Sequence, residues 1–159
     1  MKKFPVFLMT LSLIVTFSCN KDNPWISMTA LENEVWNDIN AFRADSGKAA
    51  VTVNYDTMVE QAKKYSSFRA AGNEDPDFNE LQARWDIITD RWNGTNQVSV
   101  IIQTTKGSSA LTAEDIFNPD NLSSDIKTSL LQEVSIGGVG IGFDKDGNAF
   151  TTIMMMKVD

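Results

Sequence analysis

An α+β fold is the expectation for this chain of 159 residues, and three observations carry it. Apolar residues recur at helical spacing through the first half. Two long stretches rich in β-branched and small residues close the sequence around a hairpin signal, Asp144-Lys145-Asp146-Gly147-Asn148. No regular strand–helix–strand alternation links the pieces, which argues for antiparallel rather than parallel strands.

In chain order, Thr29-x-x-Glu32 is a capping box. Behind it Leu31, Val35, Trp36, Ile39 and Phe42 share one helical face, and Gly47 is placed to end that helix. Val51-Thr52-Val53 is a short extended piece. Asp56 is positioned to cap a second helix, in which Val59, Ala62, Tyr65 or Ser66, and Arg69 line up. The stretch from Gly72 to Asp77 reads as a loop. Phe78 to Trp92 reads as a third helix with Leu81, Trp85, Ile88 and Trp92 on one stripe. Val98 to Thr104 suits a strand. Ser109 to Asn118, capped by Thr112, and Ser123 to Glu133 suit two shorter helices. Ser135 to Phe143 and Ala149 to Val158 are the closing strands.

The start of the chain has the order of a secretory signal: basic Met1-Lys2-Lys3, an apolar run from Phe4 to Phe17, then Ser18-Cys19. The run is shorter than the ~20 residues that a membrane-spanning helix needs. A small residue directly before a cysteine resembles a bacterial lipobox, in which the cysteine is acylated and becomes the new N-terminus. The expected organisation is therefore a signal peptide over 1–18, a lipidated Cys19 with a polar tether over 19–28, and one domain over 29–159. A diacyl or triacyl anchor of palmitate type would hold that domain at a bacterial envelope membrane, periplasmic or outer-surface, without burying it. Cys19 is the single cysteine, so no intrachain disulfide can form.

The 14 Lys+Arg and 21 Asp+Glu give a net charge of −7, which becomes −9 once Lys2 and Lys3 leave with the signal. Such acidity argues against nucleic acid, whose phosphates need a basic face. It argues equally against peripheral binding to anionic head groups, so the acyl chain must do the anchoring. The chain contains no histidine. That removes Ser-His-Asp and Cys-His mechanisms.

Ile39-Asn40-Ala41-Phe42-Arg43-Ala44-Asp45-Ser46-Gly47 resembles the first-helix signature of the CAP superfamily, the cysteine-rich secretory, antigen 5 and pathogenesis-related proteins. Bacterial members read N-x-x-R-x-x-x-G there, and Asn40, Arg43 and Gly47 match. Asp56, Val59, Ala62 and Ser66 fit a following D-x-x-L-x-x-x-A-x-x-H-S segment. Ile136-Gly137-Gly138-Val139-Gly140 resembles the family's I-G-V-G strand. The likeness covers about residues 30–158. It implies a three-layer α-β-α sandwich with a central antiparallel sheet. The glycines Gly137, Gly138, Gly140 and Gly142 suit that arrangement, because they let a helix or loop lie close to the strand.

The same resemblance implies a cleft with two His and two acidic residues. Here the first His position is Tyr65 and the second is Ile126, and the counterpart of one acid falls near Gln97-Val98-Ser99, which has none. A phenol and an alkyl group cannot replace imidazoles as zinc ligands or as bases near neutral pH. No metal, no cofactor and no catalytic activity are therefore expected. Tyr65, Ser66 and Ile126 become candidate ligand-binding residues of a less polar cleft, bounded also by the Val98–Val100 strand and suited to a small apolar or amphiphilic ligand.

Weaker candidates have simpler readings. Glu60, Glu74, Asp75, Asp77 and Glu80 could supply a carboxylate pair for hydrolysing envelope polymers, but Asp75-Pro76-Asp77 reads more simply as a solvated acidic loop. Lys63 and Lys64 beside Ser66 and Ser67 could suggest a Ser/Lys dyad, and surface charges explain them equally well. Asp144-x-Asp146-Gly147-Asn148 lacks the terminal Glu of a calcium loop. Met154-Met155-Met156 reads as strand packing. The leading expectation is an anchored binding module. A structural or adhesive envelope protein with a decayed cleft is the alternative, and a carboxylate-dependent hydrolase is the third.

Overall fold

The computed structural model describes residues 26–158, so Cys19, the signal segment and most of the tether lie outside the described residues. The element order is α1 (Ala30–Asp45), β1 (Thr52–Val53), a wide helical turn (Tyr55–Val59) running into α2 (Glu60–Ala70), α3 (Asn79–Thr89), β2 (Gly94–Thr104), α4 (Ala113–Ile116), a short 3-10 turn (Pro119–Asn121), α5 (Ser124–Leu130), β3 (Ile136–Phe143) and β4 (Ala149–Val158). The fold is α+β, as the sequence predicts.

The capping box forms as expected. Thr29 N–H donates to Glu32 at 2.7 Å and Glu32 N–H donates to the Thr29 hydroxyl at 3.2 Å. Gly47 takes φ +73°, the left-handed conformation that ends helices without cost only for glycine. The second helix starts differently from expectation. Asn54, not Asp56, caps it, its side-chain oxygen accepting from the N–H groups of Thr57 and Met58 at 3.1 and 3.2 Å. Helical structure between Ser109 and Asn118 shrinks to the single turn of α4, with Thr112 as its cap.

Among the described residues the sheet has four strands, in the order β1-β3-β4-β2. It is mixed, which corrects the expectation of an antiparallel one. β1 runs parallel to β3, pairing Thr52 with Ile136 and Val53 with Gly137. β3 and β4 form the predicted hairpin, and β2 pairs antiparallel with β4.

Alternation along β4 divides the core in two. Ala149, Ile153 and Met155 point into one apolar cluster with Val35, Trp36 and Ile39 of α1, Ile116 of α4 and Leu130 of α5. Met154 and Met156 point into another, with Ala62 and Tyr65 of α2 and Leu81, Trp85 and Ile88 of α3. The methionine run thus serves both faces, because successive strand residues point in opposite directions.

The N-x-x-R-x-x-x-G segment is a structural tie. The Asn40 side chain holds Val51 by its N–H at 2.8 Å and by its carbonyl at 3.3 Å. Arg43 is buried, and its guanidinium donates to the carbonyls of Ala49, Leu130 and Gln132. It therefore joins the end of α1 to the carbonyl end of α5, where a cation is favoured. Burial lowers the Arg43 pKa, and the nearby charge of Glu133 opposes that shift.

Candidate functional site

Glycines at alternate positions of β3 determine how close α2 can come. A Cβ on Gly138 would lie 2.6 Å from the Val59 nitrogen, and one on Gly142 would lie 2.6 Å from the Ser66 carbonyl oxygen. A Cβ on Gly140 would overlap the Lys63 nitrogen and the Ala62 carbonyl carbon. All three obstacles are backbone, so α2 rests directly on the strand. The expected close approach of a helix to this strand is observed.

Such contact buries much of α2. Tyr65 and Ser66 are both fully buried. The Ser66 hydroxyl donates to the Gly140 carbonyl at 2.8 Å and shares a second 2.8 Å hydrogen bond with the Thr152 hydroxyl. It fastens the helix to two strands. Lys63, read from sequence as a surface charge, is also buried. Its ammonium lies 3.0 Å from the Glu32 carboxylate. Glu32 in turn accepts from the Ile141 N–H at 3.0 Å, on the edge of β3 beyond the end of β1. This ion pair ties α1 and α2 together at a strand edge. Lys64 pairs with Glu60 at 2.7 Å along the helix.

Behind Tyr65 stands a second correction. Asp75, read as a solvated loop acid, is buried. Its carboxylate accepts from the Tyr65 hydroxyl at 3.1 Å and from the N–H groups of Glu80 and Leu81 at 3.1 and 3.0 Å. It serves α3 as a distant N-terminal cap, with Phe78 between them at φ +57°. Burial pushes the Asp75 carboxyl up, but the N–H groups of Leu81 and Glu80 and the Tyr65 hydroxyl outweigh it, so its pKa falls below the usual value. The Tyr65 pKa is raised, first by burial, with Asp75 adding to the shift and the Arg69 guanidinium opposing it.

Ile126 is half-buried against the α1-side cluster, across the sheet from Tyr65. Val98 and Val100 also point to the α1 side. The structure therefore does not bring Tyr65, Ser66 and Ile126 into one depression. Glu80 pairs with Arg84 along α3, while Glu74 and Asp77 are exposed on the loop. Asp144 does not form a calcium loop. Its carboxylate closes the hairpin turn, accepting from the Asp146 and Asn148 N–H groups at 2.9 Å and from the Asn148 side-chain amide at 2.8 Å. Those bonds, the Asn148 amide first, lower its pKa. Among the described residues, no group of three or more acidic or sulfur side chains is placed to hold a metal ion.

What the structure does form is a cavity of about 560 Å³ between the C-terminal end of α2 and the β3–β4 hairpin. Ser67, Arg69, Ala70 and Ala71 line it from the helix, and Gly142, Phe143, Lys145 and Phe150 from the hairpin. Phe150 pairs in register with Gly142, so it stands on the α2 side, where the glycine leaves room. Phe143 is half exposed at the rim. The sequence holds no motif for this site, because its two walls lie some 75 residues apart and neither is a signature. The Gly142–Phe150 register is the one signal that could have pointed to it. A second cavity of about 500 Å³ between α1 and α4 is lined by Asp38, Asp45, Glu114 and Asp120 around Phe42 and Phe117.

No protein-family model and no curated protein matches this chain.

Proposed function

We propose that this chain is a membrane-anchored bacterial envelope lipoprotein whose domain is a CAP-like three-layer α-β-α sandwich, non-catalytic, that binds a small apolar or amphiphilic ligand. The cavity at the end of α2 is the observation that carries the binding reading. Its volume suits a small ligand, and it combines apolar walls with a few convergent polar groups. Helices on both faces of the sheet, and α2 lying on a glycine strand, support the sandwich. The Ser18-Cys19 segment supports the anchor.

A specific observation favours a second reading. The position where the resembling family keeps its cleft is packed solid by Tyr65 and Ser66. A structural or adhesive envelope protein would need nothing more. The two readings separate on binding of N-phenyl-1-naphthylamine, a neutral fluorescent amphiphile, to the purified full chain. Saturable one-to-one binding that Ala71→Trp abolishes without lowering Tm is expected. Equal binding by Ala71→Trp, or none by either protein, overturns the binding reading. For the anchor, Cys19→Ser is expected to move the protein from the membrane to the soluble fraction of its own cells. An unchanged membrane pool refutes the anchor.

A further inference from the structure

We infer that the cavity at the end of α2 selects an oxyanion, a carboxylate or phosphate monoester carried on a compact apolar body, with Arg69 and Lys145 as its anchors. The inference rests on the binding reading above and adds the chemical class.

The charge inside the cavity is opposite to that of the protein. The chain carries −7 overall, yet among the described residues Arg69 and Lys145 are the cations lining this cavity and Asp144 is its single acid. Asp144 turns its oxygens into the hairpin, where three N–H bonds engage them. A guanidinium and an ammonium therefore face the space without a carboxylate bonded to them, among the described residues. Two such cations in a concave, partly apolar site focus the field on an anion.

The negative end of α2 opposes this, and it is largely neutralised. The Ser67 and Arg69 carbonyls accept from the N–H groups of Ala71 and Gly72, both at 3.0 Å, and the Phe68 carbonyl accepts from the Asn73 side chain at 3.0 Å. A partial charge of about half a unit, so capped, does not offset two full charges.

Arg69 is also held for the task. Its Nε is buried without a hydrogen-bond partner, and the guanidinium lies beside the Tyr65 hydroxyl, itself bonded to Asp75. The planar fork can grip two oxygens of one carboxylate or phosphate, which an ammonium cannot. Phe150, which shares the α2 side with Gly142, then offers its ring to the body of the ligand.

The test compares three naphthalene probes of the same body, 2-naphthoate, 1-naphthyl phosphate and 2-naphthalenemethanol, by fluorescence titration of the purified full chain. Either anion is expected to bind about tenfold tighter than the alcohol, with a preference that shrinks as salt rises. Whichever anion binds tighter identifies the head group. Arg69→Gln is expected to cost that anion about tenfold, and Arg69→Lys less, while alcohol binding stays within about twofold. Lys145→Gln, on the exposed hairpin where folding is not at risk, is expected to cost the anion about threefold. Equal affinities for the three probes, or anion binding indifferent to both Arg69→Gln and Lys145→Gln, overturns the inference while the cavity stands as an amphiphile site. Binding of none of the three overturns both.

Discussion

Replacing Gly138 by alanine tests how α2 is seated. The new Cβ would lie 2.6 Å from the Val59 nitrogen, 2.8 Å from Val59 Cγ2 and 3.0 Å from the Met58 carbonyl carbon. Ordinary contact needs about 3.5 Å, so the first turn of the helix must lift by roughly 0.9 Å. A backbone obstacle cannot rotate away as a side chain can. Overpacking of this kind costs about 1–3 kcal/mol. The same lift stretches the 2.8 Å bond from Ser66 to the Gly140 carbonyl beyond useful length, which adds about 1 kcal/mol. Restricting the unfolded chain returns about 0.4–1 kcal/mol. The net loss is about 1–3.5 kcal/mol, or a Tm lower by roughly 3–14 °C for a domain of this size. Differential scanning calorimetry and urea melts measure it. Gly107→Ala is the control, since a Cβ there meets nothing within 4 Å, and it should match or slightly exceed wild type. A Gly138→Ala protein as stable as that control refutes the close seating of α2, and with it the geometry that shapes the cavity.

Other perturbations follow from the buried polar contacts. Glu32→Met removes the carboxylate from the buried Lys63 ammonium, which keeps its bond to the Ser27 carbonyl, and should cost about 3 kcal/mol, while the double change with Lys63→Met recovers part of it, as a double-mutant cycle in urea would show. Asp75→Ala should cost about 1–3 kcal/mol through the lost bonds to Glu80, Leu81 and Tyr65. Because the Asp75 pKa is depressed in the native state, its contribution is complete above the ordinary carboxyl pKa and fades as pH falls through the native one. Asp75→Asn should accordingly flatten the acid limb of stability below about pH 4. Tyr65 has the opposite sign: its raised pKa adds stability that is complete below about pH 10 and lost above it, so Tyr65→Phe should weaken the alkaline decline in Tm. Arg43→Met leaves the Leu130 and Gln132 carbonyls without their donor and should lower Tm without changing probe binding at the distant cavity.

Local rules made part of the fold legible. Thr29 with Glu32, Gly47, the Asp144–Asn148 hairpin and the alternate glycines of β3 each act within a few residues, so their spacing reports them. The parallel pairing of β1 was hidden because a two-residue strand takes its direction from a partner more than 80 residues away. Asn54 displaced Asp56 as a cap because a wide turn precedes the regular helix, which shifts the start by two residues. Asp75 and Lys63 looked solvated because composition sees only sequence neighbours, whereas their burial comes from Tyr65 and from Glu32, which stands 31 residues before Lys63. The site was the least legible part. Reading a cleft at Tyr65, Ser66 and Ile126 followed a family pattern. In this chain the glycine strand draws α2 so close that Tyr65 and Ser66 become core, and Ile126 lies across the sheet. The open space lies at the helix end, where the sequence marks Arg69 only by its helical spacing.

A crystal structure of the full chain at saturating 1-naphthyl phosphate tests the central claim most directly. The account predicts the naphthyl ring against Phe150, with phosphate oxygens within about 3 Å of Arg69 and near Lys145. A probe ordered in the acid-lined groove between α1 and α4, or a cavity at the end of α2 left empty while the probe binds elsewhere, would contradict it.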